Sequence, residues 1–432
     1  MSAPGMPARS AAAQLLHGVL HDGIMISELI EAKDGPLKDL PPSARARAQS
    51  LALSTLRNLA PLDIVLDQFL NKSPPIKVRN ALRLSANEML VDGVAPHAAV
   101  DAAVRLVRES RKLQHLSGLT NAVARRVAEH GPEIWADMDP QELPAWMGKP
   151  IERAYGEEAL QGIEAAHAKG APLDLTLRKP ADAEKLAKEL DAEILPTGSL
   201  RLQKPGQVST MAGYDDGLWW VQDAAAAMPV QLLGNVKGKR VLDLCAAPGG
   251  KTMQLAAGGA EVIAVDISKD RLVRVAENLK RTKLTAKVIA SDIVRWAPDK
   301  PVDMILLDAP CSATGTIRRH PDLPFGKSGD LKPILRLQQK LLSRAFEWLK
   351  PGGQIVYCTC SLLPSEGEEQ ITKFLQNHDN AKQLPANTNL PDLPEEWMSS
   401  DGGLRLRPDF WAERGGMDGF YATIIEKADL TE

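Results

Sequence analysis

Cysteine is scarce in this chain: there are four in 432 residues, all at or beyond Cys245. That excludes the disulfide framework that staples small secreted domains, and the thiols are expected to be reduced and available for chemistry. Aromatic residues make up only 4%, too few for extended stacking platforms to drive nucleic-acid binding. No run of about 18 uncharged apolar residues exists, which excludes a membrane-spanning helix, and Met1 to Arg9 lack the apolar stretch of a secretory signal. A cytoplasmic protein is expected. Neither sign of charge dominates, with 52 Lys plus Arg against 55 Asp plus Glu and a formal net charge of -3. A site for a polyanion therefore has to be local.

What is present is length and pattern. At roughly 100 to 200 residues per domain, the chain holds about two to four domains. From Ala11 to His130 apolar residues recur at helical spacing, as in Leu15, Leu16, Val19 and Leu20, or Val100, Ala103, Val104 and Val107. Breaks are expected at Pro41-Pro42, Pro74-Pro75 and Gly93 to Pro96. Residues 1 to 128 carry 16 Lys plus Arg against 11 Asp plus Glu. That surplus suits a helical domain that meets a phosphate backbone, and equally an ordinary solvated surface.

Between Pro140 and Gly217 the pattern shifts. A helical stretch from Pro150 to Lys169 precedes the alternating Leu173 to Leu177 and a helix-like Ala181 to Leu190, which reads as a small α+β element. From Leu218 onward short β-rich runs alternate with amphipathic helices. The strand candidates are Arg240 to Leu244, Glu261 to Val265, Ala286 to Ala290, Val302 to Leu307 and Gln354 to Tyr357; Lys269 to Lys280 and Ile334 to Leu349 read as helices. This alternation predicts a doubly wound, mostly parallel sheet, whose ligands bind beyond the carboxyl ends of the strands.

The loops at those ends carry the chemistry. The first runs Cys245-Ala246-Ala247-Pro248-Gly249-Gly250-Lys251, where small residues and two glycines let backbone amides approach a ligand at a helix N-terminus. It is neither a Walker loop nor a strict dinucleotide fingerprint. Asp266 ends the next strand and suits a ribose, and Asp292 follows the third and suits an adenine amino group. Either acid alone reads more readily as a turn or helix cap, and it is the three strand ends in order that make the pattern specific. The fourth loop contains Asp308-Ala309-Pro310-Cys311-Ser312 and the fifth Thr359-Cys360-Ser361, so two loops present a thiol at one rim of the sheet. A buried free cysteine is usually only a small apolar residue. A pair of them suits one demanding reaction, methylation of cytosine carbon 5. A thiolate added to carbon 6 makes carbon 5 nucleophilic, and a base then allows release.

From Gly217 to the end the chain resembles the RNA cytosine-C5 methyltransferases, through its Asp-x-x-Ala-Ala-Pro-Gly-Gly-Lys-Thr, Asp-Ala-Pro-Cys-Ser and Thr-Cys-Ser loops. The helical part, with Ala95-Pro96-His97-Ala98-Ala99-Val100, is similar to NusB-like RNA-binding domains. The combination resembles the bacterial members of the family that act on 16S ribosomal RNA. The resemblance implies an α/β fold, a Rossmann-like class I methyltransferase domain at 217–432. It also implies an all-α NusB-like domain at 1–138 and a small α+β linker at 139–216. It implies S-adenosyl-L-methionine as cofactor, bound by Cys245, Ala246, Ala247, Pro248, Gly249, Gly250, Lys251, Asp266, Asp292 and Asp308. Cys360 falls at the family's nucleophile and Cys311 at the cysteine needed to release product. Asp308 and Lys251 would face the base, and Gln222 and Asp223 would help close the cofactor pocket.

Two departures stand out. Ala313 occupies the place of a usual glycine after Asp-Ala-Pro-Cys-Ser, which bears on the loop dihedrals. Cys358 replaces a usual Ser or Ala and, two residues before Cys360, points to the same face of an extended strand. Arg318, Arg319 and His320 are expected to grip RNA phosphates near the target, with a solvated charge cluster as the alternative. The expected partner is RNA, 16S ribosomal RNA in the first place, with no membrane, no metal and a monomeric chain. Three other readings differ in class. One is an RNA- or ribosome-binding module on a passive methyltransferase fold; another is action on a different RNA such as tRNA; the third is a zinc site of the four cysteines, whose spacing lacks a Cys-x-x-Cys pair. A small-molecule or amino-group methyltransferase is a further reading, disfavoured because Asp308-Ala309-Pro310-Cys311 lacks the aromatic residue with which amino-methylating enzymes stack the base.

Overall fold

Proline punctuates the first part of the chain by starting helices as well as ending them. In this computed structural model, which describes residues 5–203, 206–326, 330–390 and 392–428, the helices are α1 (Met6–His17), α2 (Ile26–Glu31), α3 (Pro42–Arg57), α4 (Leu59–Asp67), α5 (Ile76–Leu90), α6 (Pro96–Arg108) and α7 (Ser117–Ala136). Pro42 and Pro96 lie in the first turn of α3 and α6, where a missing N–H has no helical partner to lose. Helix α5 is buried along most of its length, with Arg83 and Glu88 among its buried side chains. Ion pairs compensate: Glu88 meets Arg9 at 2.8 Å and Arg47 at 2.9 Å, and Arg83 meets Asp63 at 2.6 Å.

The chain gathers into two compact units. One comprises Met1–Lys149, Leu160–Gly170 and Ile317–Gly329, the other Pro150–Ala159, Ala171–Thr316 and Asp330–Glu432. The expected linker, 139–216, is thus divided between the two, and the segment after the fourth loop belongs to the helical unit. There Asp322 accepts the Ile26 N–H at 2.9 Å, Arg57 donates to the Arg318 carbonyl at 2.9 Å, and Phe325 packs against the core around Leu15, Leu51 and Leu56. The helical stretch expected from Pro150 to Lys169 is two helices, α8 (Ala145–Tyr155) and α9 (Glu157–Lys169). They part at Gly156, whose φ is 89°, a conformation free of side-chain clash only in glycine.

The second unit holds two sheets. In the smaller, β1 (Leu173–Leu177), β2 (Glu193–Ile194), β3 (Leu200–Leu202) and β4 (Trp219–Val221) pair antiparallel in the order β2-β3-β1-β4, with α10 (Ala183–Leu190) beside them. Its buried pair, Asp174 with Arg201 at 2.7 and 2.6 Å, also fixes the Ala224 N–H and the Gly416 carbonyl. The larger sheet contains β5 (Arg240–Leu244), β6 (Glu261–Asp266), β7 (Lys287–Ala290), β8 (Val302–Asp308) and β9 (Leu349–Thr359). These five are parallel and are extended by the antiparallel β10 (Ala381–Leu384), β11 (Leu404–Leu406) and β12 (Phe420–Lys427), giving the path β10-β12-β9-β8-β5-β6-β7 with β11 on β12.

Period-two alternation divides the strand side chains between two cores. Leu242, Leu244, Ile305, Leu307, Ile355 and Tyr357 face α14 (Lys332–Glu347) and α15 (Glu368–Gln376). Val241, Val262, Leu306 and Val356 face α11 (Ala224–Leu232) and Leu255 of α12 (Gly250–Ala257). Helix α13 (Lys269–Thr282) buries Leu272, Val275 and Leu279 with Trp220 and Met253. Helices thus cover both faces, the doubly wound arrangement that the alternating pattern predicts.

Candidate active site

The first loop turns as sharply as its glycines suggest. Cys245 has φ 62° and Gly249, which opens α12, has φ 102°. A Cβ on Gly249 would lie 3.3 Å from the Val275 Cα, so close packing of α13 and the left-handed dihedral both require glycine there. The loop is stitched to β6: Ala246 donates to the Val265 carbonyl at 3.1 Å, and Ala247 to Asp266 Oδ2 at 3.1 Å. The other Asp266 oxygen accepts from the Ser268 N–H at 2.8 Å. Asp292 Oδ1 accepts from the Val294 N–H at 2.9 Å. Both acids therefore shape their own turns; a carboxylate accepts about four hydrogen bonds, so capacity for a ligand remains.

Gln222 and Asp223 are buried organisers beside this loop. Gln222 accepts from Trp220 Nε1 at 2.8 Å and donates to the Ala226 carbonyl at 3.1 Å. Asp223 caps α11 through the Ala225 N–H at 2.9 Å and holds the Asp418 N–H at 3.1 Å. Under the loop, Asp243 is fully buried; its Oδ2 accepts from Thr252, and its Oδ1 has no partner among the described residues. Burial pushes its carboxyl up to about 7, against the pull of the Thr252 hydroxyl. A glycine turn, a helix N-terminus and carboxylates at three neighbouring strand ends fit S-adenosylmethionine, a ligand rich in donors and carrying positive charge. Ile267, 73% exposed directly after Asp266, adds an apolar surface that no sequence motif marks.

The two thiols expected at one rim meet there. Cys311 Sγ lies 3.4 Å from Cys360 Sγ. Strand β9 ends at Thr359, so Cys360 is the first residue beyond it and is half-buried, whereas Cys358 is fully buried within the strand. Cys358 pairs in register with Asp308 of β8, and its S–H donates to Asp308 Oδ1 at 3.6 Å. Lys251 Nζ donates to Asp308 Oδ2 at 2.8 Å and stands 5.2 Å from the Phe420 ring centre.

Charge divides these groups. Burial disfavours the Lys251 ammonium, but Asp308, with Cys358 and Cys360 beside it, outweighs burial and raises its pKa. The lysine is a fixed cation next to the thiols. Burial, then the Asp308 charge, pushes the Cys358 thiol up, and Cys245 is raised by burial followed by Asp308, Asp266 and Asp243. For Cys311 the first cause is its hydrogen bond to Cys360, then burial, and the pKa rises well above the usual thiol value. Cys311 therefore holds its proton, in a contact with Cys360 in which either sulfur can donate. Among the described residues the cysteines form no metal-holding group; the side chains close enough for one are His17, His21 and Asp22 of the helical unit.

Arg318, Arg319 and His320 fall in the helical unit. Arg318 is fully buried, contrary to its expected reach for phosphate, because its segment packs into that unit's core; Arg319 is exposed and His320 half-buried. Glu366, which no sequence motif singled out, is fully buried and bonded to both thiol loops. The only signal would have been an acid six residues past Cys360. Gly315 is a second such residue: it donates to the Cys360 carbonyl at 3.0 Å and accepts from Gly419 at 2.7 Å, and a Cβ would stand 2.0 Å from the Gly419 oxygen.

Comparison with known proteins adds two family matches. The family described as 16S rRNA methyltransferase RsmB/F matches residues 230–426, and the NusB family matches residues 6–129. Ribosomal RNA small subunit methyltransferase B of Serratia proteamaculans is 36% identical over 422 residues, 90% of this chain and 96% of its own. The protein of that name from Escherichia coli K12 is 33% identical over 441 residues, 97% of this chain and 98% of its own. Among solved structures, PH0851 shares the fold with a TM-score of 0.75 at 23% identity, over 99% of this chain and all of its own. A methyltransferase homolog protein from Pyrococcus horikoshii is 28% identical with a TM-score of 0.54, over 65% of this chain and 93% of its own.

Proposed function

The chain belongs to the RsmB/F family of 16S ribosomal RNA methyltransferases, and on that premise we propose that it methylates carbon 5 of a cytosine in 16S ribosomal RNA through a transient bond between Cys360 and carbon 6. The observation that carries this reading is the 3.4 Å approach of Cys311 and Cys360, beside the Lys251–Asp308 pair at 2.8 Å. S-adenosylmethionine, held by the Cys245 to Lys251 loop with Asp266, Asp292 and Asp308 and flanked by Ile267, supplies an electrophilic methyl group.

The chain's own residues do the rest. Cys360 attacks as a thiolate, favoured by the Lys251 cation and by the Cys311 S–H. The new S–C6 bond pushes the ring's π electrons toward carbon 5, which becomes nucleophilic. Asp308 and Lys251 orient and polarise the base. Once carbon 5 has taken the methyl group, its remaining proton passes to solvent water, the electrons of that C–H bond re-form the C5–C6 double bond and Cys360 leaves as a thiolate, which the Cys311 S–H is placed to stabilise. The target base has to be extruded from folded RNA to reach these groups. The helical unit tethers the RNA: α6, α7 and the turn between them expose Arg105, Arg108, Arg111, Lys112, Arg125 and Arg126, which suit phosphate contacts.

Cys360→Ala is expected to abolish methylation and leave S-adenosylmethionine binding intact, and Cys311→Ala to accumulate a covalent protein–RNA adduct. Near-normal turnover by Cys360→Ala would overturn the mechanism. Bisulfite sequencing of RNA from a strain lacking the gene tests the substrate. Loss of one modified cytosine in 16S RNA supports the reading; a loss confined to tRNA, or an unchanged map, sinks it.

A further inference from the structure

We propose that Glu366 is the positioning residue of the two-thiol centre, holding Cys311 and Cys360 in one geometry and assigning the proton between them. The inference rests on the reading of Cys360 as nucleophile. Glu366 ends a short helical turn, Pro364–Glu366, and is fully buried. Its Oε1 accepts from the Ser312 backbone N–H at 2.9 Å and from Gln338 Nε2 at 3.1 Å; its Oε2 accepts from Ser361 Oγ at 2.6 Å and from Ser312 Oγ. Ser312 follows Cys311 and Ser361 follows Cys360. One carboxylate thus grips the residue after each sulfur and ties both loops to α14. The clasp is reinforced where Leu362 N–H donates to Thr314 Oγ1 at 2.9 Å, and Gly315 N–H to the Cys360 carbonyl at 3.0 Å.

All four donors are neutral, and among the described residues Glu366 has no ion pair. Taking a carboxylate out of water without a counter-ion is costly. A joint that only needed hydrogen bonds could be built from an uncharged side chain, so the charge itself has a use. Cys360 and Glu366 both raise the Cys311 pKa, and the Lys251 cation of this centre is paired with Asp308 at 2.8 Å. The Glu366 anion adds to the hydrogen bond and the burial that keep Cys311 protonated. It thereby makes Cys311 the thiol that keeps its proton, 3.4 Å from the Cys360 sulfur. Geometry and proton placement come from the same residue.

The test uses the full chain. Iodoacetamide labelling of each cysteine against pH, read by peptide mass spectrometry without RNA, reports the proton. Turnover on 16S RNA, with donor affinity measured by calorimetry, reports geometry. Glu366→Gln is expected to move the Cys311 labelling midpoint to lower pH. It should also lower kcat by about 10- to 100-fold, the scale of an ångström-sized misplacement, with KM for RNA and the affinity for S-adenosylmethionine unchanged. Glu366→Asp, which keeps the charge and shortens the reach, should restore the labelling profile but not kcat. A Glu366→Gln protein with wild-type labelling and wild-type kcat overturns the proposal, as does a loss confined to donor binding. If that variant does not fold, Ser361→Ala leaves the carboxylate in place and removes the Ser361 hydroxyl that bonds Glu366, Ser312, Thr314 and the Leu363 N–H: a severalfold fall in kcat with donor binding kept supports the proposal, and an unchanged kcat overturns it. Should the wild type methylate no RNA, the functional reading fails, while the labelling profiles still decide whether Glu366 sets the Cys311 proton.

Discussion

Two cysteines two residues apart look interchangeable on paper, and their surroundings separate them. Cys358 is fully buried in β9 and donates to Asp308; Cys360 stands at the strand end against Cys311. Cys358→Ala should therefore keep methylation within about tenfold of wild type, since a missing neutral-to-charged hydrogen bond is worth roughly 1.5 kcal/mol; a dead Cys358→Ala protein in a turnover assay would make Cys358 the nucleophile. Asp243 gives a pH signature. Its folded pKa, about 7, lies above the ordinary aspartate value of 3.8. The folded chain thus holds a proton that the unfolded chain has released, and stability falls as pH rises from about 4 to 7. In urea denaturation of the ligand-free protein, Asp243→Asn should flatten that decline; equal slopes for both proteins would count against a protonated Asp243. The thiols and the Gly-Gly loop are readable in the sequence because chemistry restricts them to few residue types. Glu366 is not, because a glutamate in a loop carries no period, and its partners come from three separate stretches.

At the level of elements, the parallel strands are legible as apolar runs: β5 has the expected bounds, β6, β7 and β8 differ from theirs by one residue, and β9 extends beyond Gln354 to Tyr357 at both ends. No strand is expected after Tyr357, yet β10 to β12 complete the sheet. Strand β11 is only three residues long, and β12 ends in the charged Glu426 and Lys427, so neither offers a clean alternating pattern; pairing with β9 decides the conformation of β12, and β11 follows by pairing with β12. The departure at Ala313 proves meaningful, because its φ is 57°, the left-handed region that a glycine would occupy without strain. Such a conformation costs an L-residue about 1 to 2 kcal/mol, offset in part by the greater freedom of glycine in the unfolded chain. Ala313→Gly should raise unfolding stability by about 0.5 kcal/mol, measured by the urea midpoint, and a lower midpoint would show that Ala313 is unstrained.

For the molecule as a whole, the charge pattern points to a basic helical front and an acidic remainder. If the front tethers RNA, reversing Arg105, Arg108 and Arg125 to Glu should weaken binding and lower the slope of log affinity against log salt by roughly 0.7 to 0.9 for each phosphate that is no longer neutralised. Filter binding at several salt concentrations measures this, and an unchanged slope would place the RNA elsewhere. What the sequence hides is that residues remote in the chain complete the helical unit. Ile317 and Phe325 are apolar, and the buried Asp322 accepts the Ile26 N–H through one oxygen. A truncated chain beginning at Pro150 strands these groups and should aggregate in size-exclusion chromatography; a monodisperse product would contradict that. No single cut in the gene releases either half whole. Swapping the front half for a relative's, by recombination or at the bench, succeeds only when the matching stretch from the middle of the back half travels with it.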